Sequence, residues 1–443
     1  MTGLVAHGFP EQPVRRRARH GVAALFPDAG GYGSALFGSL FGAQDTAGDD
    51  PLESTRLVPP VFMPNRLEKL IELGREPTYR DVDLSTVIGA LRSPLPVYVS
   101  AFGSTRAAGH ELGLAVSRQA ASLGLPMVIG ENVVPVNGFG RDSEPAGRSL
   151  LSRLRAYAAE ADDVTGGVVV QQSTEDADAE VWQLVYGDPS TQRLLDSGRL
   201  AFELKLGQGA KPGLGGMTLV DQAAARRLAD RYALEELLDS GSDADAGSDS
   251  GSGSGSATLL RCGTPGTFTA EILAQQIRFM RNNFPRVRIW VKLHPGRDVA
   301  EAATVARAAG ADAVTVDGAE GGTGWAPSAF LGHVGLPLHE CLRRLGPDRP
   351  GLLVSGRMWE GTRAVKCMAL GATAVGLGRA AMLAADEDPA AGLVRLVRCL
   401  ELEMRMLISA LGQYAPAALS PHDVWNPAGS PADRTPELQG VAP

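Results

Sequence analysis

Glu203-Leu-Lys-Leu-Gly-Gln-Gly-Ala-Lys-Pro-Gly-Leu-Gly-Gly216 opens as an alternating, strand-like run and closes as a glycine-rich loop. Glu203, Lys205, Gln208 and Lys211 fall where the strand gives way to the loop. The segment Asp317-Gly-Ala-Glu-Gly-Gly-Thr-Gly324 has the same form. Where strands and helices alternate around a barrel, the loops after the strands build the site. Two lysines and a glutamine at such a loop suit an anionic ligand.

The pattern repeats along the chain. Eight short apolar runs each end near Gly, Ser, Gln or Lys: Pro96–Ser100, Met127–Gly130, Val168–Gln171, Ala201–Leu206, Ile289–Leu293, Ala313–Val316, Leu352–Ser355 and Ala374–Gly376. Helical spacing lies between them, at Gly109–Leu123, Asp221–Leu238, Ala270–Asn283, Val299–Ala309 and Gly361–Leu370. Short apolar strands alternating with helices predict a parallel sheet, and eight units predict a closed (β/α)8 TIM barrel of the α/β class. An open nucleotide-binding sheet is the second choice, and the Gly-x-Gly-x-x-Gly it requires after the first strand is missing.

The chain has 443 residues, 44% of them hydrophobic, enough for one large core. A net charge of −8 speaks against a nucleic-acid partner. No apolar run is long enough to span a membrane, and the expectation is a cytoplasmic protein. Cys262, Cys341, Cys367 and Cys399 are too far apart to form a paired ligand pattern, so no metal site is expected and the thiols read as reduced and mostly buried. The basic run Arg15–His20 precedes a stretch broken by Pro27 and Asp28, and reads as a solvated patch rather than an export signal.

Residues 1–60 form an N-terminal extension in which residues 35–42 suit a short helix. Residues 61–412 form the barrel, led in by a stretch from Pro60 to Val87 that mixes extended and turn residues. Residues 239–256, almost wholly Gly, Ser and Asp, are expected to be a disordered insertion. Leu393–Leu411 has the spacing of a terminal helix, and residues 413–443 form a tail.

Leu352-Leu-Val-Ser-Gly-Arg357 and Ala374-Val-Gly-Leu-Gly-Arg379 end the last two runs, where such barrels often bind phosphate. Glycine lets backbone N–H groups approach the oxygens, the next helix adds its dipole, and Arg379 adds a charge. The alternative is two tight strand–helix turns. Glu131, opening the loop after the second run, suits either proton handling or a helix cap.

Several segments, in order, resemble the FMN-binding synthase domain of glutamate synthase. They are PVFMPNRLEKLIELGREPTYRDVDLSTVIG, SAFGSTRAAGHE, GENVVP, ELKLGQGAKPGLGG, VKLHPGRDVAEAATVARAAGADAVTVDGAEGGTGWAPSAFLGHVGLPLHECL and VSGRMWEGTRAVKCMALGATAVGLGRAAML, together covering roughly residues 60–412. The resemblance implies a barrel holding FMN, and an oxidoreductase acting on the CH–NH2 centre of an amino acid or the matching imino acid. Ser100, Ala101, Gln171, Lys292, Gly321, Gly322, Thr323, Ser355, Gly356, Arg357, Gly378 and Arg379 would then hold the cofactor. Lys205, Gln208, Lys211 and Glu131 would bind the dicarboxylate and position its imino group. A lysine such as Lys292 near the flavin ring would stabilise its anionic reduced form.

The family's iron–sulphur cluster needs closely spaced cysteines after the last strand. This chain has only Cys399 there, so no cluster is expected. With no glutaminase segment either, a separate ammonia or electron donor protein fits, and a homo-oligomer is compatible. Arg261-Cys-Gly-Thr-Pro-Gly-Thr-Phe-Thr269 replaces the family's proline- and histidine-containing stretch, which moves the expectation toward specialised metabolism. The competing readings are an FMN barrel enzyme with another substrate or no net redox change, and a catalytically idle scaffold.

Overall fold

The computed structural model describes residues 4–26, 50–102, 110–130, 150–173, 181–206, 218–220, 226, 233–235, 258–261, 269–322, 328–347 and 350–427. Eight strands close into a parallel barrel. They are β1 (Val97–Phe102), β2 (Pro126–Ile129), β3 (Gly167–Ser173), β4 (Leu200–Leu206), β5 (Arg288–Leu293), β6 (Ala313–Asp317), β7 (Leu352–Ser355) and β8 (Ala374–Leu377). β8 pairs with β1, Val375 opposite Val97 and Leu377 opposite Val99, so the sheet has no free edge. Each strand coincides with one of the eight runs read from the sequence.

Period-two alternation divides each strand between two cores. Val97, Val99, Val168, Val170, Ile289 and Val291 face outward into the helix layer. One residue per strand fills the barrel itself: Tyr98, Val128, Val169, Ala201, Trp290, Ala313, Leu353 and Ala374. The lower end is plugged by a hairpin, Thr86–Ile88 against Leu91–Ser93, whose Ile88 and Leu91 join this inner layer. Its two-residue turn, Gly89–Ala90, has φ of 52° and 70°, the geometry that matches strand twist in tight hairpins. Trp290 Nε1 donates to the Gly89 carbonyl at 3.0 Å.

The helices at Ala270–Asn283, Val299–Ala308 and Gly361–Ala369 lie where spacing predicted, as does the terminal helix Gly392–Ala410. Thr269 caps the first of these, its hydroxyl accepting from Ile272 N. Three readings are corrected. The lead-in stretch contains a ten-residue helix, Pro64–Leu73, started by Pro64 and stopped by Gly74 in the left-handed conformation. Residues 233–235, inside the helix expected over Asp221–Leu238, form a strand. That strand pairs with Thr258–Arg261, which also pairs with Thr218–Val220. Pairing with a segment beyond the Gly/Ser/Asp stretch overrides local helical spacing there.

The third correction concerns the basic run, which is the end of a helix, Glu11–His20, packed on Arg379–Glu387 and Gly392–Ala410. Arg15 pairs with Glu11, Asp386 and Glu387, and the buried Arg17 pairs with Glu403 at 2.6 Å. Only Arg16, Arg19 and His20 are left at the surface. The expected helix at 35–42 and the insertion at 239–256 lie outside the described residues.

A Cβ at Gly89 would lie 2.3 Å from Trp290 Nε1. Gly89→Ala is expected to destabilise the protein by about 1–3 kcal/mol, through overpacking and the left-handed φ. Gly74→Ala, also left-handed but with nothing near its Cβ, serves as the control and should cost less in a thermal melt. Equal melting temperatures for the two variants would mean that the plug does not bear on the barrel.

Candidate active site

Directly above the apolar layer, the next inward residue on most strands is polar. Ser100, Gln171, Glu203, Lys292, Thr315 and Ser355 are all buried, with Gly376 completing the ring on β8. Glu203 is only 1% exposed. It accepts hydrogen bonds from Gln171 Nε2 at 2.5 Å and Thr315 Oγ1 at 2.8 Å. Lys292, 7% exposed, places Nζ 2.7 Å from Asp317 Oδ2, while the Ser355 hydroxyl donates to the other Asp317 oxygen. A buried charge is tolerated only when paired and hydrogen-bonded, and this layer meets that condition. Burial raises the proton affinity of Glu203 above the usual carboxylate range, opposed by Lys292, Gln171 and Thr315.

The β1 side differs. Its pairing with β2 shifts register between Val99 and Phe102, the stretch that holds Ser100 and Ala101. Such irregularities re-aim side chains next to sites. The Ser100 and Tyr98 hydroxyls are buried and make no hydrogen bond of good geometry with a described group. A Cβ at Gly376 would meet Ser100 Oγ at 2.1 Å and the Tyr98 hydroxyl at 2.7 Å, so only glycine fits there.

The flank over β6–β8 is built from glycines and arginines. Gly322 (φ 80°) and Gly356 (φ 144°) adopt backbone that favours glycine, and Arg357 follows at φ 51°. Gly378 caps the helix Arg379–Glu387, whose N-terminus faces the barrel mouth. The Arg379 guanidinium donates to the Glu320 carbonyl and lies 4.5 Å from the Phe9 ring centre. Burial, with the nearby Arg357 charge, brings its pKa down to about 10. Two arginines and a helix N-terminus together favour an anion at this flank.

The structure thus brings Ser100, Ala101, Gln171, Lys292 and Ser355 to the floor of the mouth. Gly321, Gly322, Gly356, Arg357, Gly378 and Arg379 gather on one flank. Lys205, half-buried, is opposite Lys292 in register, one step above Glu203. Glu131, Gln208, Lys211 and Thr323 lie outside the described residues. Sequence reading missed Asp317, Thr315 and Tyr98, and did not foresee that Glu203 is the hydrogen-bonded centre of the floor. The alternation in Ala313-Val-Thr-Val-Asp317 carried the signal, since it puts Thr315 and Asp317 on the face of Ala313. Cys341, Cys367 and Cys399 are buried, their pKa values raised to about 12, 12 and 11 by desolvation. Among the described residues no three His, Cys, Asp or Glu side chains form a metal-binding group, and no helix is long and apolar enough to cross a membrane.

The family described as "Conserved region in glutamate synthase" matches residues 267–388, from the helix before β5 through the one after β8. The glutamate synthase large subunit-like protein of Rhizobium meliloti (strain 1021) is 31% identical over 265 residues, covering 57% of this chain and 54% of that protein. The archaeal glutamate synthase [NADPH] of Methanocaldococcus jannaschii is 32% identical over 193 residues, covering 42% and 34%. This chain therefore spans about a third to a half of the length of these relatives. Over the matched part its sequence is similar to those of glutamate synthases. Among solved structures, a chimera of (S)-mandelate dehydrogenase aligns with a TM-score of 0.52 at 17% identity, covering 94% of this chain and 99% of that one. A mandelate oxidase variant with a monooxide FMN adduct aligns at 0.51 and 20%, covering 83% and 87%. At these identities the likeness is one of fold.

Because Glu203 holds its proton more tightly in the folded chain, the folded state binds more protons than the unfolded one above the ordinary value of 4.5. Stability then falls as pH rises from that value toward the raised one. Glu203→Gln is expected to flatten this slope, so that the variant gains on the wild type as pH rises above the ordinary carboxylate value in urea titrations. Parallel profiles would show an ordinary carboxylate.

Proposed function

We propose that this chain is an FMN-dependent oxidoreductase of the glutamate synthase type, acting at the C–N centre of an amino acid or of the imine formed from its oxo acid. The observation that carries the reading is a paired polar floor, Glu203 with Gln171 and Thr315 and Lys292 with Asp317, beside a flank suited to phosphate. The family match covers Lys292, Asp317, Ser355 and Arg379, and both relatives named above are glutamate synthases or like them.

The residues fit the cofactor. The Ser100 and Tyr98 hydroxyls lack well-formed partners, Gly376 lets both side chains pack against β8, and the flank offers glycine backbone, a helix N-terminus and Arg379. Gly321, Gly322, Thr323, Gly356, Arg357, Gly378 and Arg379 would hold the phosphate end, with Ser355 of the floor beside them. Ser100, Ala101, Gln171 and Lys292 would hold the ring end. Bound there, FMN supplies reversible hydride transfer. Lys205, Gln208 and Lys211 would neutralise and align the carboxylates of the substrate, and Glu131 would hold the imino nitrogen or its proton. The fixed floor beneath them orients Gln171 through Glu203 and sets the charge on Lys292 through Asp317, so both stay in one geometry during turnover. Electrons and ammonia would come from separate donors. A nicotinamide is the electron source consistent with the NADPH in the name of the archaeal relative.

The test is anaerobic. With the flavin photoreduced, addition of 2-oxoglutarate and ammonium is expected to reoxidise it and form glutamate. A flavin that stays reduced moves the search to other imines, and a chain that binds no flavin overturns the reading. Lys205→Ala is expected to raise KM for a dicarboxylate substrate at least tenfold, as loss of about one charge-assisted contact implies. Unchanged kinetics would remove Lys205 from substrate binding.

A further inference from the structure

Arg363 lies on the helix Gly361–Ala369, outside the floor and the flank, and its side chain is 1% exposed. Its guanidinium reaches four partners. Nε donates to the Gly356 carbonyl at 2.9 Å, and Nη2 to Glu320 Oε1 at 2.7 Å. Nη1 donates to Asp50 Oδ2 at 2.7 Å and to Glu53 Oε1 at 3.1 Å. Glu320 also accepts from Leu338 N at 3.1 Å, and its main-chain carbonyl takes Arg379. One guanidinium thus joins the loop after β7 and the loop after β6, and through Glu320 it reaches the arginine that follows β8.

The other side of the cluster comes from a segment some three hundred residues earlier in the chain. Asp50 caps the short helix Pro51–Ser54 by accepting from Leu52 N at 3.0 Å. Leu52 is fully buried, and Lys366, one turn beyond Arg363, donates to its carbonyl at 2.8 Å. Arg357 lies 3.8 Å from Glu53. Three carboxylates around one buried guanidinium, with Lys366 and Arg357 alongside, bring the formal charge of the cluster to zero. A lysine at position 363 could not reproduce this fork, because an ammonium is a point charge without planar, divergent donors.

We infer that Arg363 is a positioning residue for the phosphate end of the site, locked in place by the Asp50–Ser54 turn. This rests on the flavin reading above. It fixes the Gly356 carbonyl and the Glu320 carboxylate, and so sets where the glycine loops present their N–H groups and where Arg379 is held. It touches neither the polar floor nor the ring end. Its loss should therefore weaken recognition of a phosphate group and spare recognition of a flavin ring.

The full 443-residue chain, freed of flavin, is titrated with FMN and with riboflavin, which lacks the phosphate, by fluorescence quenching. For Arg363→Lys the expected result is a Kd for FMN raised about tenfold or more, the size of losing a charge-assisted hydrogen bond, with the riboflavin Kd within about twofold of wild type. Asp50→Asn keeps the arginine and the cap, and is expected to raise only the FMN Kd, by a smaller factor. It carries the test if Arg363→Lys fails to fold. Parallel losses for both compounds would mean a merely structural role, and no change in either would mean none. Both results overturn the inference while leaving the flavin reading intact. A wild-type chain that binds neither compound overturns both.

Discussion

A carboxylate cannot be buried alone inside a closed barrel. Glu203 sits in the middle of one, on a strand hydrogen-bonded on both sides and away from water. The layer around it follows from that requirement. Gln171 and Thr315 supply its hydrogen bonds, and Lys292 supplies the nearest positive charge. Lys292 in turn needs Asp317, and Asp317 holds Ser355. Residues from five strands are tied into one network, which makes the floor of the mouth rigid where a ligand would need a fixed surface.

The layer below is what lets the polar layer exist. Tyr98, Trp290 and their neighbours fill the barrel to packing density, and the Thr86–Ser93 hairpin closes the lower end. The buried apolar layer beneath keeps the local dielectric low, which strengthens the pairing of the charges above it. Glycine appears at two places where side chains closely approach the backbone: Gly89 under Trp290 and Gly376 over Ser100 and Tyr98.

A second ionic centre, around Arg363, does for the flank what Glu203 does for the floor. Here the charges join elements distant in sequence, Asp50 and Glu53 with Glu320 and Gly356. On the flavin reading, the two centres would divide the mouth into a ring side and a phosphate side, each held by its own buried charges. For a flavin, that division would separate binding energy at the phosphate from electronic control at the ring. The pairing of Lys292 with Asp317 also changes the expectation drawn from sequence. Lys292 is already paired with Asp317, so its field on a flavin bound there would be weaker than that of a lone ammonium.

How much of this was legible in the sequence depends on the range of the interaction. The eight strands were legible because each is a short apolar run whose limits are set by local turn chemistry, and the glycine-arginine loops after β7 and β8 were legible for the same reason. Lys292 and Gln171 could be placed because they end apolar runs. The helix read over Asp221–Leu238 was wrong at residues 233–235, since their strand partner follows a Gly/Ser/Asp stretch that carries no local signal. The arginines of residues 15–20 read as a solvated patch because Asp386, Glu387 and Glu403 lie far along the chain. By itself, then, the sequence determined the alternation, the barrel and the loops that face its mouth, all of which depend on neighbours within a few residues. Tertiary structure alone decided which charges are buried and with whom. Coulomb pairing and desolvation act through space, and nothing in the spacing of Glu203, Lys292, Asp317 or Arg363 announces the partner that each one requires.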